Sequence, residues 1–367
     1  MEYRLDEIFD LQMGKTPSRN NPDYWNSKDN KWISIADLSK CDKYIFETKE
    51  YLSDKAIEES GISQIPANTV IMSFKLSIGK IAITPEPMYS NEAIMSFRDR
   101  HIINLLPDYI YYMLLGKNWD IGTNKAVMGK TLNKATLSAI KVKVHSYSEQ
   151  KEIVRILDKV KSIIIIRQQE LQKLDELIKA RFVEMFVETD AASEWPYHTI
   201  ADVSNDMRTG PFGSALRHDE FADSGVFVLG IDNAVENKFS YSRMRYITEE
   251  KYQQLKRYTV YPGDVIISIM GTVGRSAVIP VDMPKAINTK HLACITPKVE
   301  TINAQFLSCA FQIHPDIRMQ LQKQCKGAIM DGLNLTIIKG LSFHIPPLSL
   351  QNQFVEFYGQ TDKSKVA

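Results

Sequence analysis

The chain has 367 residues, 44% apolar and 24% charged, with a formal net charge of +1 at neutral pH; that length accommodates two domains, each with a substantial core. A balanced charge argues against a protein that grips nucleic acid unaided through many phosphates, so any such role falls to local patches or to partner subunits. No run approaches the roughly 18–20 consecutive apolar residues that span a bilayer, and Met1-Glu2-Tyr3-Arg4-Leu5-Asp6 lacks the basic-then-apolar pattern of a signal peptide.

In chain order, the first landmark is a loop, Gly14-Lys15-Thr16-Pro17-Ser18. A strand-like run, Trp32 to Ala36, ends in the acidic Asp37. Ile65-Pro66-Ala67-Asn68 is a turn that feeds a β-branched strand through Ile71. A glycine and a cation, Gly79-Lys80, precede the strand Ile81-Ala82-Ile83, and Leu132-Asn133 precedes the alternating run Ile140 to Val144. Alternation of that kind marks a half-buried strand.

A long helix follows over about 148–187, free of Pro and Gly, with Ser148 placed to cap it. Ile153, Leu157, Val160, Ile164, Arg167, Leu171, Leu174, Ile178, Arg181 and Met185 recur in steps of four and three. That is the seam of a coiled coil interrupted by two arginines, and it requires a partner helix. Some forty residues at 1.5 Å each make a rod of roughly 60 Å.

The second half then repeats the first in order. Gly210-Pro211-Phe212-Gly213-Ser214 answers the opening loop, Val226 to Asp232 the first strand, and Val260-Tyr261-Pro262-Gly263-Asp264-Val265-Ile266 the turn. Gly274-Arg275 answers Gly79-Lys80, Leu333-Asn334 answers Leu132-Asn133, and Gln351 answers Gln150. The offset stays between 195 residues (Gly79 to Gly274) and 201 (Gln150 to Gln351). The expected architecture is therefore α+β: two similar mixed α/β globular domains, a pseudo-two-fold repeat, joined by a long coiled-coil-type helix. The boundaries are 1–147, 148–188 for the helix, 189–347, and 348–367 for a second helix that Gly359 and the polar tail Thr361 to Lys365 cut short.

These landmarks and their duplication resemble the specificity subunit of a type I restriction-modification system. The resemblance covers nearly the whole chain. It implies that 1–147 and 189–347 are target-recognition domains, each reading one half of a split, asymmetric DNA site. It also implies that the long helices pair antiparallel, space the half-sites and bind two methyltransferase subunits. Those subunits would carry S-adenosylmethionine and methylate adenine, while a motor-nuclease restriction subunit would use ATP and Mg²⁺; this chain itself would bind no cofactor or metal and perform no catalysis. One DNA turn is about 34–36 Å, which suits a spacer of this length. The short second helix departs from the family pattern, and a homodimer through the central seam is one way to complete the rod.

Phosphate contacts need cations and backbone amides; base readout needs Arg, Lys, Asn or Gln on loops that reach a groove. Candidates in the first repeat are Lys15, Ser18, Arg19 and Asn20, then Lys75 and Lys80, then Lys125, Lys130, Asn133 and Lys134. In the second they are Arg208, Arg217, His218, Arg275, Lys290, Lys326 and Asn334, with Arg243 and Arg245 placed on a strand. The two asparagines serve equally well as turn residues.

Other chemistry is poorly supported. Gly14-Lys15-Thr16 and Gly129-Lys130-Thr131 lack the upstream glycine of a phosphate-binding loop, where Phe9 and Asn124 stand. Asn21-Pro22-Asp23-Tyr24 lacks the second proline of the adenine-methyltransferase motif. The alternative function is a Mg²⁺-dependent endonuclease using Asp23, Glu47 and Lys49, which requires both segments to be paired strands. Cys41, Cys294, Cys309 and Cys325 are scattered and read as structural thiols in a reducing compartment, the cytoplasm.

Overall fold

A computed structural model of the chain describes residues 1–75, 77–119, 124–126, 129–325 and 333–365. It divides into two compact units, Met1–Ile166 and Arg167–Ala367. The division falls inside one continuous helix, Tyr147–Phe186, of 40 residues, rather than at its ends.

In the first unit a four-stranded antiparallel sheet runs in the order Phe9–Met13, Ile94–Asp99, Thr69–Ser73, Ile81–Thr84. Beside it, Glu50–Leu52, Asn30–Ile33 and Tyr89–Ser90 form a second sheet, the last pair parallel. The second unit repeats this frame. Its antiparallel sheet is Ser204–Thr209, Leu292–Pro297, Val265–Ser268, Ser276–Val278, and its mixed sheet holds Tyr246–Ile247, Val226–Leu229, Ala286–Asn288 and Thr259–Val260. The fourth strand of that mixed sheet is a single bridge, Ile65 to Met88, in the first unit. Asn68 and Gly263 hold the positive φ of the turn at equivalent places, 57° and 85°. Asparagine and glycine are the residues that tolerate this conformation. Each unit closes with a two-stranded ribbon, Glu2–Arg4 on Lys141–Lys143 and Tyr197–Thr199 on Ser342–His344.

The repeat extends to buried side chains. Gln150 Oε1 accepts from the Leu106 N–H at 3.1 Å, and its amide donates to Asn104 and His145 carbonyls. Gln351 Oε1 accepts from the Asn303 N–H at 2.8 Å, and its amide donates to Thr301 and Pro346. Each glutamine thus satisfies three backbone groups where a helix begins against a loop.

Three expectations change. The long helix is capped by Ser146, whose hydroxyl accepts from the Glu149 N–H while Glu149 accepts from the Ser146 N–H; Ser148 lies in the first turn. The second helix, Leu348–Ser364, runs through Gly359, because one glycine costs a helix only about 1 kcal/mol. The seam is not one free stripe: Ile153 packs on the first core, and Ile178 and Met185 on the second. In the second unit the helix pairs antiparallel with Leu348–Ser364, since Arg167 donates to the Ser364 and Lys365 carbonyls and Phe182 and Phe186 pack on Phe354. The C-terminal half of the seam is thus covered within the chain itself, with Leu171 and Leu174 half-buried. Leu157, Val160 and Ile164 stay exposed, with Ile156, Ile163 and Ile166 beside them.

Among the described residues no helix is long and apolar enough to cross a membrane.

Candidate nucleic-acid interface

The most closely matched local structures in the two units are exposed turns that carry a cation. Gly79 (φ 85°) and Gly274 (φ 83°) occupy left-handed backbone. Ser73 donates its N–H to the Lys80 carbonyl at 2.9 Å, its hydroxyl to the Ser77 carbonyl, and accepts from the Lys80 N–H at 3.0 Å. Ser268 makes the same bonds with Arg275 and Thr272, at 2.8 Å and 2.9 Å for the two Arg275 contacts. One buried serine therefore fixes each turn from within and leaves Lys80 and Arg275 exposed. Arg275 also borders a cavity of about 590 Å³ with Lys179, Lys238 and Arg318.

The opening loops are matched too. A Cβ on Gly14 would lie 2.1 Å from the Ser90 carbonyl oxygen, and one on Gly210 would lie 2.2 Å from the Thr289 carbonyl carbon. Only glycine lets these loops cross the neighbouring strand end so closely. The loop of the first unit then diverges in its occupancy. Lys15 is exposed, and its ammonium reaches the Ser60 carbonyl at 2.5 Å. Arg19 pairs with Glu50 and stacks 3.8 Å over Trp25, so its guanidinium holds the loop to the sheet edge. Ser18 accepts from the Trp25 indole through its carbonyl, and Asn20 is exposed.

Several candidates prove structural. Arg208 is 11% exposed and donates to Asp264 at 2.5 Å, to Asp206, to Thr296 and to the Thr259 carbonyl; a guanidinium so enclosed has nothing left for a phosphate. Asn133 and Asn334 are helix N-caps, accepting from the Thr136 and Ile337 N–H groups at 2.7 and 2.9 Å. Arg243 and Arg245 precede the strand Tyr246–Ile247 rather than lying on it. Arg245 is paired with Asp232, whereas Arg243 is exposed at a φ of 49°.

The remaining candidates lie on the surface. Lys134 and Lys290 are exposed, Arg217 faces Asp219 at 3.6 Å, and His218 packs edge-on against Phe221. Lys75 is partly covered and lies over the Phe74 ring. Lys125 and Lys130 face each other in a two-stranded ribbon, of which only the backbone is described. Lys326 lies outside the described residues, as do Val127 and Met128.

The structure also brings together groups that a search for cations overlooks. Glu92 receives the Thr16 hydroxyl, and that bond holds its carboxyl below the usual range against burial, with Lys75 and Arg19 adding to the effect. At the matching place Lys290 adjoins His291, whose imidazole is held below its ordinary pKa by burial, by Lys290 and by Arg245. Aligning Glu92 with Lys290 across the repeat is the signal that finds it.

The nuclease geometry is absent. Asp23 sits in a single 3-10 turn, Pro22–Tyr24, and pairs with Lys55. Glu47 pairs with Lys31, and Glu47 to Lys49 lie outside any strand. Among the described residues no three His, Cys, Asp or Glu side chains gather as metal ligands. Burial pushes the Cys309 thiol up to about 12 and the Cys294 thiol well above its ordinary value, so neither is a ready nucleophile.

Comparison with known proteins settles the grouping. The sequence profile of the type I restriction modification DNA specificity domain matches residues 1–176 and again 193–367. The chain belongs to that family. A relative, the type I restriction enzyme MjaIX specificity subunit of Methanocaldococcus jannaschii, is 20% identical over 96% of this chain and 84% of its own length. The EcoR124I/EcoR124II specificity subunit of Escherichia coli is 28% identical, over 42% of this chain and 39% of its own. The fold is shared with the S subunit of the type I restriction-modification system from M. genitalium, at a TM-score of 0.54 and 13% identity, covering all of this chain and 90% of that one. A chain from a structure describing assembly and conformational transition of the type I system gives a TM-score of 0.59 at 14% identity, with the same coverage. The two profile matches fall one on each repeat, and both include parts of the central helix or the helix that follows the second repeat.

Proposed function

We propose that this specificity-family chain reads DNA in two unlike halves for a type I restriction-modification complex and breaks no bond itself. The observation that carries the reading is the duplicated frame. The Ser73 and Ser268 turns, the Gly14 and Gly210 crossings and the Gln150 and Gln351 anchors coincide bond for bond, while the exposed side chains around them differ. Two copies of one scaffold with different reading surfaces suit an asymmetric split target; identical surfaces would demand a palindrome.

Methyltransferase subunits dock on this chain in the same reading, and the exposed apolar residues of the central helix, Ile156 to Ile166, are their contact. Restriction motor-nuclease subunits complete the assembly. S-adenosylmethionine, ATP and Mg²⁺ belong to those partners, not to this chain.

The test is to map methylated adenines in a host that carries the chain with its methyltransferase partner. A split motif with a fixed gap is expected. Magnesium-dependent cleavage of DNA by the purified chain, abolished by Asp23→Ala, would overturn the reading in favour of a nuclease.

A further inference from the structure

We propose that Glu92 and Lys290 are equivalent specificity-determining residues, one in each reader, and that their opposite chemistry gives the two half-sites different bases. The inference rests on the DNA-reading function above and deepens it.

The equivalence is set by main-chain bonds. The Asn91 N–H donates to the Ile33 carbonyl at 3.1 Å, the Ile94 N–H to Asn91 at 3.2 Å, and the Phe74 N–H to Ala93 at 3.0 Å. In the second unit the Thr289 N–H donates to Leu229 at 3.0 Å, the Leu292 N–H to Thr289 at 3.1 Å, and the Ile269 N–H to His291 at 2.9 Å. Each four-residue turn joins the mixed sheet to the antiparallel sheet, and each is crossed by its opening-loop glycine. The second residue of the turn is Glu92 in one unit and Lys290 in the other. Both are exposed.

A carboxylate only accepts hydrogen bonds and an ammonium only donates. In the major groove cytosine offers its N4 amino group to an acceptor, whereas guanine offers O6 and N7 to a donor. An acid on a surface that meets phosphates is repelled unless cations stand beside it, and Glu92 has Lys75 and Arg19 as electrostatic neighbours. The turns are also where buried polar atoms lack a protein partner: Ser90 Oγ in the first unit, and Asn288 Oδ1, Thr289 Oγ1 and His291 Nδ1 in the second.

The experiment uses the full chain in complex with its methyltransferase partner, with methylated adenines mapped for the parent, Glu92→Gln, Glu92→Lys and Lys290→Glu. Glu92 variants should change one base position in one half of the motif, or slow methylation of parental sites by roughly 10- to 100-fold. Lys290→Glu should do the same in the other half only. Lys290→Glu should keep the parent's thermal midpoint, and Glu92→Gln, which retains an acceptor for the Thr16 hydroxyl, should stay near it. An unchanged motif and rate in all three variants overturns the proposal, as does an equal loss across both halves. A parent complex that yields no split motif overturns the underlying function instead, which separates the two failures.

Discussion

The Lys43 ammonium lies 2.7 Å from the Asp158 carboxylate and 2.5 Å from Asp108, joining the globular part of the first unit to the central helix. Tyr112 donates to Asp158 at 2.5 Å and Tyr44 to Asp108 at 2.8 Å. Burial and Asp108 push the Tyr44 hydroxyl up to about 12. For Asp158 burial acts upward, but the bonds from Lys43 and Tyr112 outweigh it and hold the carboxyl below its usual range.

A carboxyl depressed on folding stabilises fully above its unfolded pKa of about 3.9 and loses that contribution as pH falls through the lower folded value. Asp158→Asn should therefore lower the unfolding midpoint most at pH 6–7. The gap between variant and parent should close as pH falls below about 3.9. Midpoints measured by circular dichroism at several pH values check this, and a gap that widens in acid would contradict it.

Arg208 and Arg275 should separate cleanly. Arg208→Ala strands Asp264, which is 1% exposed, and should cost about 3–5 kcal/mol in urea unfolding. Arg275→Ala should leave stability within about 0.5 kcal/mol and reduce the salt slope of DNA binding by the assembled complex by about 1. Equal stability losses in both variants would show that Arg275 is a framework residue as well.

Gly210→Ala places a Cβ 2.2–2.5 Å from the main chain of Asn288 and Thr289. Relief requires the strand end to move, at a cost of roughly 1–3 kcal/mol. Gly359→Ala, inside a helix with open space around it, should instead stabilise by about 0.5–1 kcal/mol. Paired urea titrations give both signs.

Ile163 is 55% exposed and Ile156 47%. Ile156→Asp with Ile163→Asp should leave the isolated chain's unfolding midpoint nearly unchanged and abolish co-purification of the methyltransferase subunit. Phe182→Ala is the contrast: a fully buried ring in the second core, whose loss costs about 3–5 kcal/mol. Retained co-purification by the double aspartate variant would remove this face as the docking surface.

Much of the frame was legible because duplication multiplies weak signals. Gly79-Lys80 says little until Gly274-Arg275 appears at the same offset, and the strands then follow in register. The helix was legible from its uninterrupted periodicity, but its partners were not. Period alone does not show that Ile178 faces its own unit's core, since that depends on where Leu348–Ser364 packs. The cap was misplaced by two residues because Ser146 and Ser148 offer the same hydroxyl. Among the cations, sequence could not separate Arg208 from Arg275, for only the fold brings Asp264 beside the former. Glu92 escaped a search aimed at positive charge.

The buried serines Ser73 and Ser268 and the buried glutamines Gln150 and Gln351 bond to main chain in every contact described above. The frame of each turn is thus held by buried residues other than the exposed ones it presents. An outward side chain on such a turn can be exchanged without breaking these bonds, so the free energy of folding should stay nearly constant while the chemistry presented to solvent changes.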